Sequence, residues 1–309
     1  MAPHVRCPVC AGPVAVGGDQ VTCGRGHSFN IARQGYVSLT AGRGGPGTGD
    51  SAAMVLARDR FLGAGHYRPV ADALSALAAQ CLAPQGLAPQ GLAPQGLATQ
   101  GLATQGLATQ GLAARAGPGG PGLVLDLAGG TGYYLALVLD ALDARLGACV
   151  DLSAPALRRA ARAHPRAAAL GADAWGHLPL ADESAALVLS VFGPRNPAEI
   201  RRVLAPGGTL IVATPGPDHH AELRRSLGLI GIDERKSARL AEAYGDYAST
   251  AVTSVRYQLH LGPADLTDLV AMGPSARHIG PDELAARVAA LPPAPVTVTV
   301  DVEVRSYQG

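Results

Sequence analysis

The sequence predicts an α/β fold, a doubly wound parallel sheet preceded by a small zinc-ribbon module, and three observations carry that prediction. Cys7, Cys10, Cys23 and His27 stand at C-x2-C-x12-C-x3-H spacing, which closes four ligands around one metal ion. From Gly122 onward, short apolar runs alternate with amphipathic stretches, the pattern of parallel strands covered on both faces. The first of those runs enters a glycine-rich turn, Ala128-Gly129-Gly130-Thr131-Gly132, and then a helical pattern.

The metal-ligand turns come first along the chain. Cys7-Pro8-Val9-Cys10 is one knuckle and Cys23-Gly24-Arg25-Gly26-His27 the other, with glycines suited to tight turns. Four protein ligands fill a tetrahedral shell, so the expected Zn²⁺ is structural. A disulfide pair is the alternative for these thiols. Cys81 and Cys149 lie apart in apolar settings, which argues against a disulfide framework. Arg6, Arg25, Arg33, Arg43, Arg58, Arg60 and Arg68 outnumber the acids of the same stretch, leaving a phosphate-binding face open.

Elsewhere the charge is balanced, with a net value of +1 over 309 residues. There is no apolar run of about 18 residues and no secretory-type start, so a cytoplasmic protein with no membrane partner is expected. Residues 41–49 read as a glycine-rich connection. A helical stretch spans 50–80, interrupted around Gly63 to Gly65 and at Pro69. From Leu82 to Ala113 a Leu-Ala-Pro-Gln-Gly unit recurs, with Thr replacing Pro in later copies. Recurrent Pro and Gly oppose a helix, and one Leu per unit buries too little to order the chain, so a loose insertion is predicted rather than a short β-solenoid.

Strands are predicted at 123–127, 148–151, 167–172, 186–192 and 209–214, with helices at 134–142 and 154–163. Val296 to Val304 alternates Val with Thr or acid and reads as a further strand. The expected organisation is a zinc module at 1–45, a helical connection at 46–81, the repeat insertion at 82–118 and the sheet domain at 119–309.

Asp126 and Asp151 close the first and second strands, and Asp173 follows the third. An acid at the second strand end can accept both hydroxyls of a ribose, and one at the third can accept from an adenine amino group. The turn lacks the G-x-G-x-x-G spacing suited to a pyrophosphate, so the set fits S-adenosylmethionine better than a nicotinamide dinucleotide. Any one of these acids could instead cap a helix or turn.

The zinc knuckles, Phe29-Asn30-Ile31-Ala32-Arg33-Gln34-Gly35-Tyr36-Val37, Gly49-Asp50, Met54, Ala57-Arg58, Phe61-Leu62, Gly65-His66-Tyr67, the glycine turn, Arg202-Val203-Leu204-Ala205-Pro206-Gly207-Gly208 and Thr214-Pro215-Gly216-Pro217-Asp218-His219 together resemble the 23S rRNA (guanine-N1)-methyltransferases. Phe192-Gly193-Pro194-Arg195-Asn196 and Met272-Gly273-Pro274-Ser275-Ala276 are more similar to the Gram-positive branch, which includes resistance enzymes of macrolide producers. The resemblance implies a Rossmann-like class I methyltransferase sheet whose closing strand is an antiparallel edge. It also implies a homodimer gripping a 23S rRNA hairpin with its zinc modules. By position it places Tyr67, Ala128, Gly130, Thr131, Gly132, Asp151, Asp173 and His219 at the cofactor. Ala128 departs from the glycine found in many relatives, and is expected to press on the methionine portion.

Guanine N1 carries a proton that must leave before or during methyl transfer, to a carboxylate, a neutral histidine or water; Asp218, His219 and His220 are the candidate side chains. Phe192 to Asn196 is the candidate guanine contact, with Arg195 on a phosphate. Phe29 and Tyr36 can stack on bases or fill the module's core. A methyltransferase acting on a small natural product, with the zinc module as lid or dimer element, is the alternative function.

Overall fold

A computed structural model describes residues 1–40, 49–83, 122–193, 195–229, 242, 244, 245, 247–291 and 295–308. The glycine-rich connection from residue 41 and the pentapeptide repeats from residue 84 lie outside the described residues.

At the N-terminus β1 (Val14–Gly17), β2 (Gln20–Cys23) and β3 (Ser28–Asn30) form a three-stranded sheet. Its strands pair antiparallel; the β2–β3 turn carries Cys23 and His27, and Cys7 and Cys10 lie in the turn that precedes β1. β4 (Val37–Ser38) leaves this module and pairs in parallel with the main sheet. The chain then makes α1 (Ala52–Gly63) and α2 (Arg68–Leu82). Ser51 caps α1, its hydroxyl accepting from Met54 N at 3.2 Å. Pro69 lies in the first turn of α2, where no amide donor is needed, so it starts that helix and does not interrupt it.

The remaining elements are β5 (Leu123–Leu127), α3 (Tyr133–Asp140), β6 (Gly147–Asp151), α4 (Ala154–Ala163), β7 (Ala167–Gly171), β8 (Ala185–Val191), α5 (Pro197–Val203), β9 (Leu204–Pro215), α6 (Ala221–Leu227), β10 (Ala248–Leu261), α7 (Pro263–Ala271), α8 (Pro281–Ala289) and β11 (Val296–Gln308). The eight-stranded sheet has the order β10-β11-β9-β8-β5-β6-β7-β4. Six of these strands run in parallel, while β11 pairs antiparallel with both β9 and β10. From β5 the chain walks to β6 and β7, then returns to the other side of β5 with β8 and β9. That reversal opens a crevice at the carboxyl ends of β5 and β8.

Alternation along the strands divides the core. Val124, Leu187, Leu189, Ile211 and Ala213 face a cluster with α1 to α4 and the later helices. Leu123, Leu125, Leu127, Val188, Leu210 and Val212 face α5 and the apolar side of the zinc module, including Val5, Val21, Ile31 and Leu39. Phe29 and Tyr36 are partly buried and pack against these clusters. The module is docked by backbone bonds as well: Arg6 N donates to Pro179 O at 2.9 Å, Ala181 N to His4 O at 2.8 Å and Leu39 N to Gly171 O at 2.7 Å.

The sheet departs from the sequence prediction at one edge. Val296–Gln308 is an interior strand, because β10 adds outside it through a thirteen-pair antiparallel ladder. β10 went unpredicted: Ser, Thr, Arg and Gln alternate there with half-buried Ala251, Val255, Tyr257 and Leu259, as an edge strand with one wet face requires.

Leu74, fully buried on α2, anchors the helical layer on the sheet. Leu74→Ala is expected to cost about 2–5 kcal/mol in urea unfolding monitored by circular dichroism; a loss under about 1 kcal/mol would show that this layer is not part of the cooperative core.

Candidate functional site

The two ligand turns bring Cys7, Cys10, Cys23 and His27 together, with ligand atoms all within 4.8 Å of one another. Cys10 Sγ and Cys23 Sγ are 3.7 Å apart. His27 Nδ1 lies 3.6 Å from Cys7 Sγ and 3.3 Å from Cys23 Sγ. Around a tetrahedral zinc, with bonds of about 2.3 Å to sulfur and about 2.0 Å to nitrogen, such edges measure about 3.5–3.8 Å, so the four residues fit the ion. The turns are held by Ala11 N to Cys7 O at 2.8 Å and Gly26 N to Cys23 O at 3.0 Å. Burial raises the Cys23 thiol, but backbone donors of Arg25 and His27 and the His27 ring outweigh it, bringing it down to about 6. A thiolate at neutral pH is the form a zinc ion takes.

At the crevice, the turn after β5 puts Ala128, Gly130 and Gly132 at φ of 53°, 58° and 76°. Two of these positions are glycine, for which the left-handed region carries no penalty; Ala128 pays roughly 1–2 kcal/mol there. A Cβ built on Gly193 of the loop after β8 would lie 3.3 Å from the Ala128 methyl. Gly129 admits no side chain, since a Cβ there would sit 2.5 Å from Asp126 Oδ2 and 2.7 Å from Cys149 Sγ. Gly132 and Thr131 open α3, with Gly132 packed against Ala160 and Ala163 of α4.

Asp151, at the end of β6, ties the turn together: Oδ2 accepts from Gly130 N at 2.9 Å and Oδ1 from Ser153 N at 2.8 Å. Each carboxylate oxygen keeps a further acceptor position for a ribose hydroxyl. Burial raises Asp151 despite those donors. Asp126, behind the turn, is fully buried with neither oxygen hydrogen-bonded. Burial, then the Asp151 charge, pushes its carboxyl up to about 8, so it is mostly protonated at neutral pH. Asp173 is exposed and accepts from Trp175 N at 2.9 Å. Trp175, the chain's one tryptophan, is 65 % exposed.

Across the crevice from the turn, three distant segments meet. Tyr67, at the start of α2 and 3 % exposed, places its hydroxyl 3.2 Å from His219 Nε2 and 2.8 Å from His220 Nε2. His219 Nδ1 accepts from Asp301 N at 3.3 Å, which assigns its proton to Nε2 and makes Tyr67 the donor to His220. Burial lowers His219 to about 4, and holds His220 well below the usual histidine range with help from the neighbouring His219. Both rings are neutral at pH 7. They stack at 3.8 Å, and Phe192 stacks on His219 at 5.9 Å. Phe192 has φ 55° and His220 φ 53°, strained values for bulky residues that cluster beside the crevice.

Asp218 is drawn away from this group. It is half exposed, and its Oδ2 lies 2.8 Å from Arg256 NH1 on β10. Arg195 turns inward: its NH1 is buried with no hydrogen-bond partner, and burial lowers its pKa. Residues absent from the sequence prediction also reach the site. Arg58 of α1 bonds Asp50 and lies on the glycine turn, and Tyr134 sits 6.5 Å from Phe192. Asp50 and Arg58 stood in the family-like segment, but no spacing rule ties them to a turn some seventy residues away.

Among the described residues no helix is long and apolar enough to cross a membrane. Residues 5–40 match the family model described as "RlmA, N-terminal", and residues 124–208 match a methyltransferase domain model. Six copies of a GLTT repeat match within residues 86–113. The chain is 44% identical over 313 residues, 100% of itself and 98% of its relative, to a Micromonospora griseorubida protein assigned to the 23S rRNA (guanine-N(1)-)-methyltransferases. It is 42% identical over 290 residues to the 23S rRNA (guanine(748)-N(1))-methyltransferase of Streptomyces fradiae, covering 94% of this chain and 91% of that one. A Bacillus subtilis relative of the same designation is 27% identical over 228 residues, 72% of this chain and 68% of that one.

The Asp126 carboxyl titrates near 3.8 when free and near 8 in the fold. Between those values the native state keeps a proton that the unfolded chain has released, so stability falls as pH rises through this window and levels off above it. Asp126→Asn removes that dependence. Urea unfolding at a series of pH values should show the variant gaining on the parent from about pH 4 to about pH 8; a constant difference would mean that Asp126 is ionised in the fold.

Proposed function

The chain belongs to the 23S rRNA (guanine-N1)-methyltransferase family, and from that membership we propose that it transfers a methyl group from S-adenosylmethionine to N1 of a guanine in 23S rRNA. The observation that carries this reading is the pairing of an adenosyl-type crevice with a docked four-ligand zinc ribbon in one chain. S-Adenosylmethionine supplies an electrophilic methyl on a sulfonium.

The protein's own contribution is placement. Asp151 is positioned for ribose hydroxyls, and the bare backbone of Gly129 and Gly130 permits close approach. Tyr67, Phe192 and His219 form a water-poor aromatic wall on the facing side. Methyl transfer requires the nucleophile in line and near van der Waals contact, so a rigid wall is worth more there than a mobile one. The N1 proton is assigned to water. Asp218 is held by Arg256, and burial makes His219 and His220 weak bases whose value is to stay neutral beside a cationic donor.

Guanine N1 lies on the pairing edge, so the target base must be unpaired or extruded. Exposed Arg25 and Arg33 on the zinc module are suited to phosphates of the RNA around it. A homodimer that grips an rRNA hairpin through two such modules, in the cytoplasm, completes the proposal.

Purified protein is expected to transfer labelled methyl from S-adenosylmethionine to 23S rRNA lacking the modification, with mass-spectrometric mapping placing it on a guanine N1. Asp151→Ala should abolish transfer by weakening donor binding at least about tenfold. Donor binding without labelling of rRNA or large ribosomal particles would overturn the RNA substrate.

A further inference from the structure

Arg58 has an unusual position. It projects from α1 onto the glycine turn, where a Cβ built on Gly130 would lie 3.1 Å from Arg58 NH1 and 3.6 Å from its Cδ. Its charge is felt by Asp151 and by Tyr134. It is 25 % exposed, neither sealed in the core nor free in solvent.

The guanidinium is also held in a fixed plane. NH1 pairs with the Asp50 carboxylate, and NH2 donates to Met272 O at 2.8 Å. Asp50 is fixed in turn: its carboxylate lies 3.3 Å from Arg277 NH2, and its carbonyl accepts from Ser153 Oγ at 2.7 Å. Ser153 is the same residue whose amide orients Asp151. One chain of contacts therefore connects the ribose acid, the cap of α4, Asp50 and Arg58. Those two bonds leave further N–H donors on Arg58, because a guanidinium offers five in a rigid fork.

The acids around the turn explain what such a cation is for. Asp151 and Asp50 suit the cationic and hydroxyl groups of an S-adenosylmethionine, but their charge repels its one anionic group, the amino-acid carboxylate, whereas Asp126 is buried behind the turn and mostly protonated. A carboxylate brought among them needs a cation with parallel donors. We propose that Arg58 is the residue that receives the amino-acid carboxylate of the donor, with Asp50 and Met272 O as the contacts that hold its fork in place. This rests on the cofactor reading above.

The test separates ligand contact from scaffolding. Calorimetry is run on the full chain with two ligands: S-adenosylhomocysteine, which carries the carboxylate, and 5′-methylthioadenosine, which lacks the amino-acid end. Arg58→Gln and Arg58→Lys are compared with the parent, with circular dichroism to confirm folding. Arg58→Gln is expected to weaken S-adenosylhomocysteine about 10- to 100-fold while leaving methylthioadenosine within about twofold, and Arg58→Lys should restore part of the loss. Equal weakening of both ligands, as a purely scaffolding arginine would give, overturns the proposal; so does no weakening of either. An unfolded Arg58→Gln variant counts against it too, since the side chain would then be a structural tie. A parent chain that binds neither ligand would instead remove the cofactor reading itself.

Discussion

The Asp151 carboxylate is the constraint on which the crevice depends. One oxygen fixes Gly130 N in the turn after β5, the other fixes Ser153 N at the head of α4, and so a single side chain locks two adjacent strand-to-helix connections. The turn can take that shape because Gly129 has no side chain to meet Asp126 and Cys149, and because Gly130 and Gly132 carry positive φ at no steric cost. Asp126 is the electrostatic consequence. With Asp151 already ionisable and the loop packed over it, a second carboxylate finds no donor and stays protonated.

The zinc module extends that rigidity outwards. A ribbon of about forty residues buries too little to fold on apolar area alone, and here the metal turns and the sheet share the task. Val5 bridges Leu180, and β4 adds to β7 beside Gly171. The contact at Leu178 to Ala181 follows directly on Asp173 and Trp175, so the zinc-ribbon module is anchored to the loop after β7.

Much of this was legible in the sequence, and the physical reasons are specific. The zinc ligands are local in the chain, so spacing alone identifies them, and their sulfur and nitrogen atoms do converge. Parallel strands buried on both faces read as apolar runs, which is why β5, β6, β7 and β8 were visible to within a residue and the apolar part of β9 as well, although β9 begins five residues earlier, at Leu204 in the polar turn sequence. The glycine turn and Asp151 announce themselves because one βαβ unit contains both. β10 was missed because its wet face interrupts the apolar signal, and without β10 the closing strand looked like an edge. Tyr67 and His219 carry no local signature. They meet only when α2, the end of β9 and β11 pack together, and resemblance supplied them. Ala128 is legible as a departure from glycine, but its positive φ is a property of the folded turn.

The place of the repeat insertion follows from the same geometry. α2 begins at the crevice, where Tyr67 meets the histidines, and runs away from it, so that Cys81 near its end lies beside Thr209 and Ser306. Thr209 pairs with Leu187 near the start of β8, six residues before β9 reaches Pro215. β5 in turn starts at Leu123, directly after Gly122, which packs on Ala186 at the start of β8. Both points of attachment are thus at the amino ends of the parallel strands, and the donor crevice is at their carboxyl ends. A longer connection between α2 and β5 costs the fold little, because loop-closure entropy grows only slowly with length.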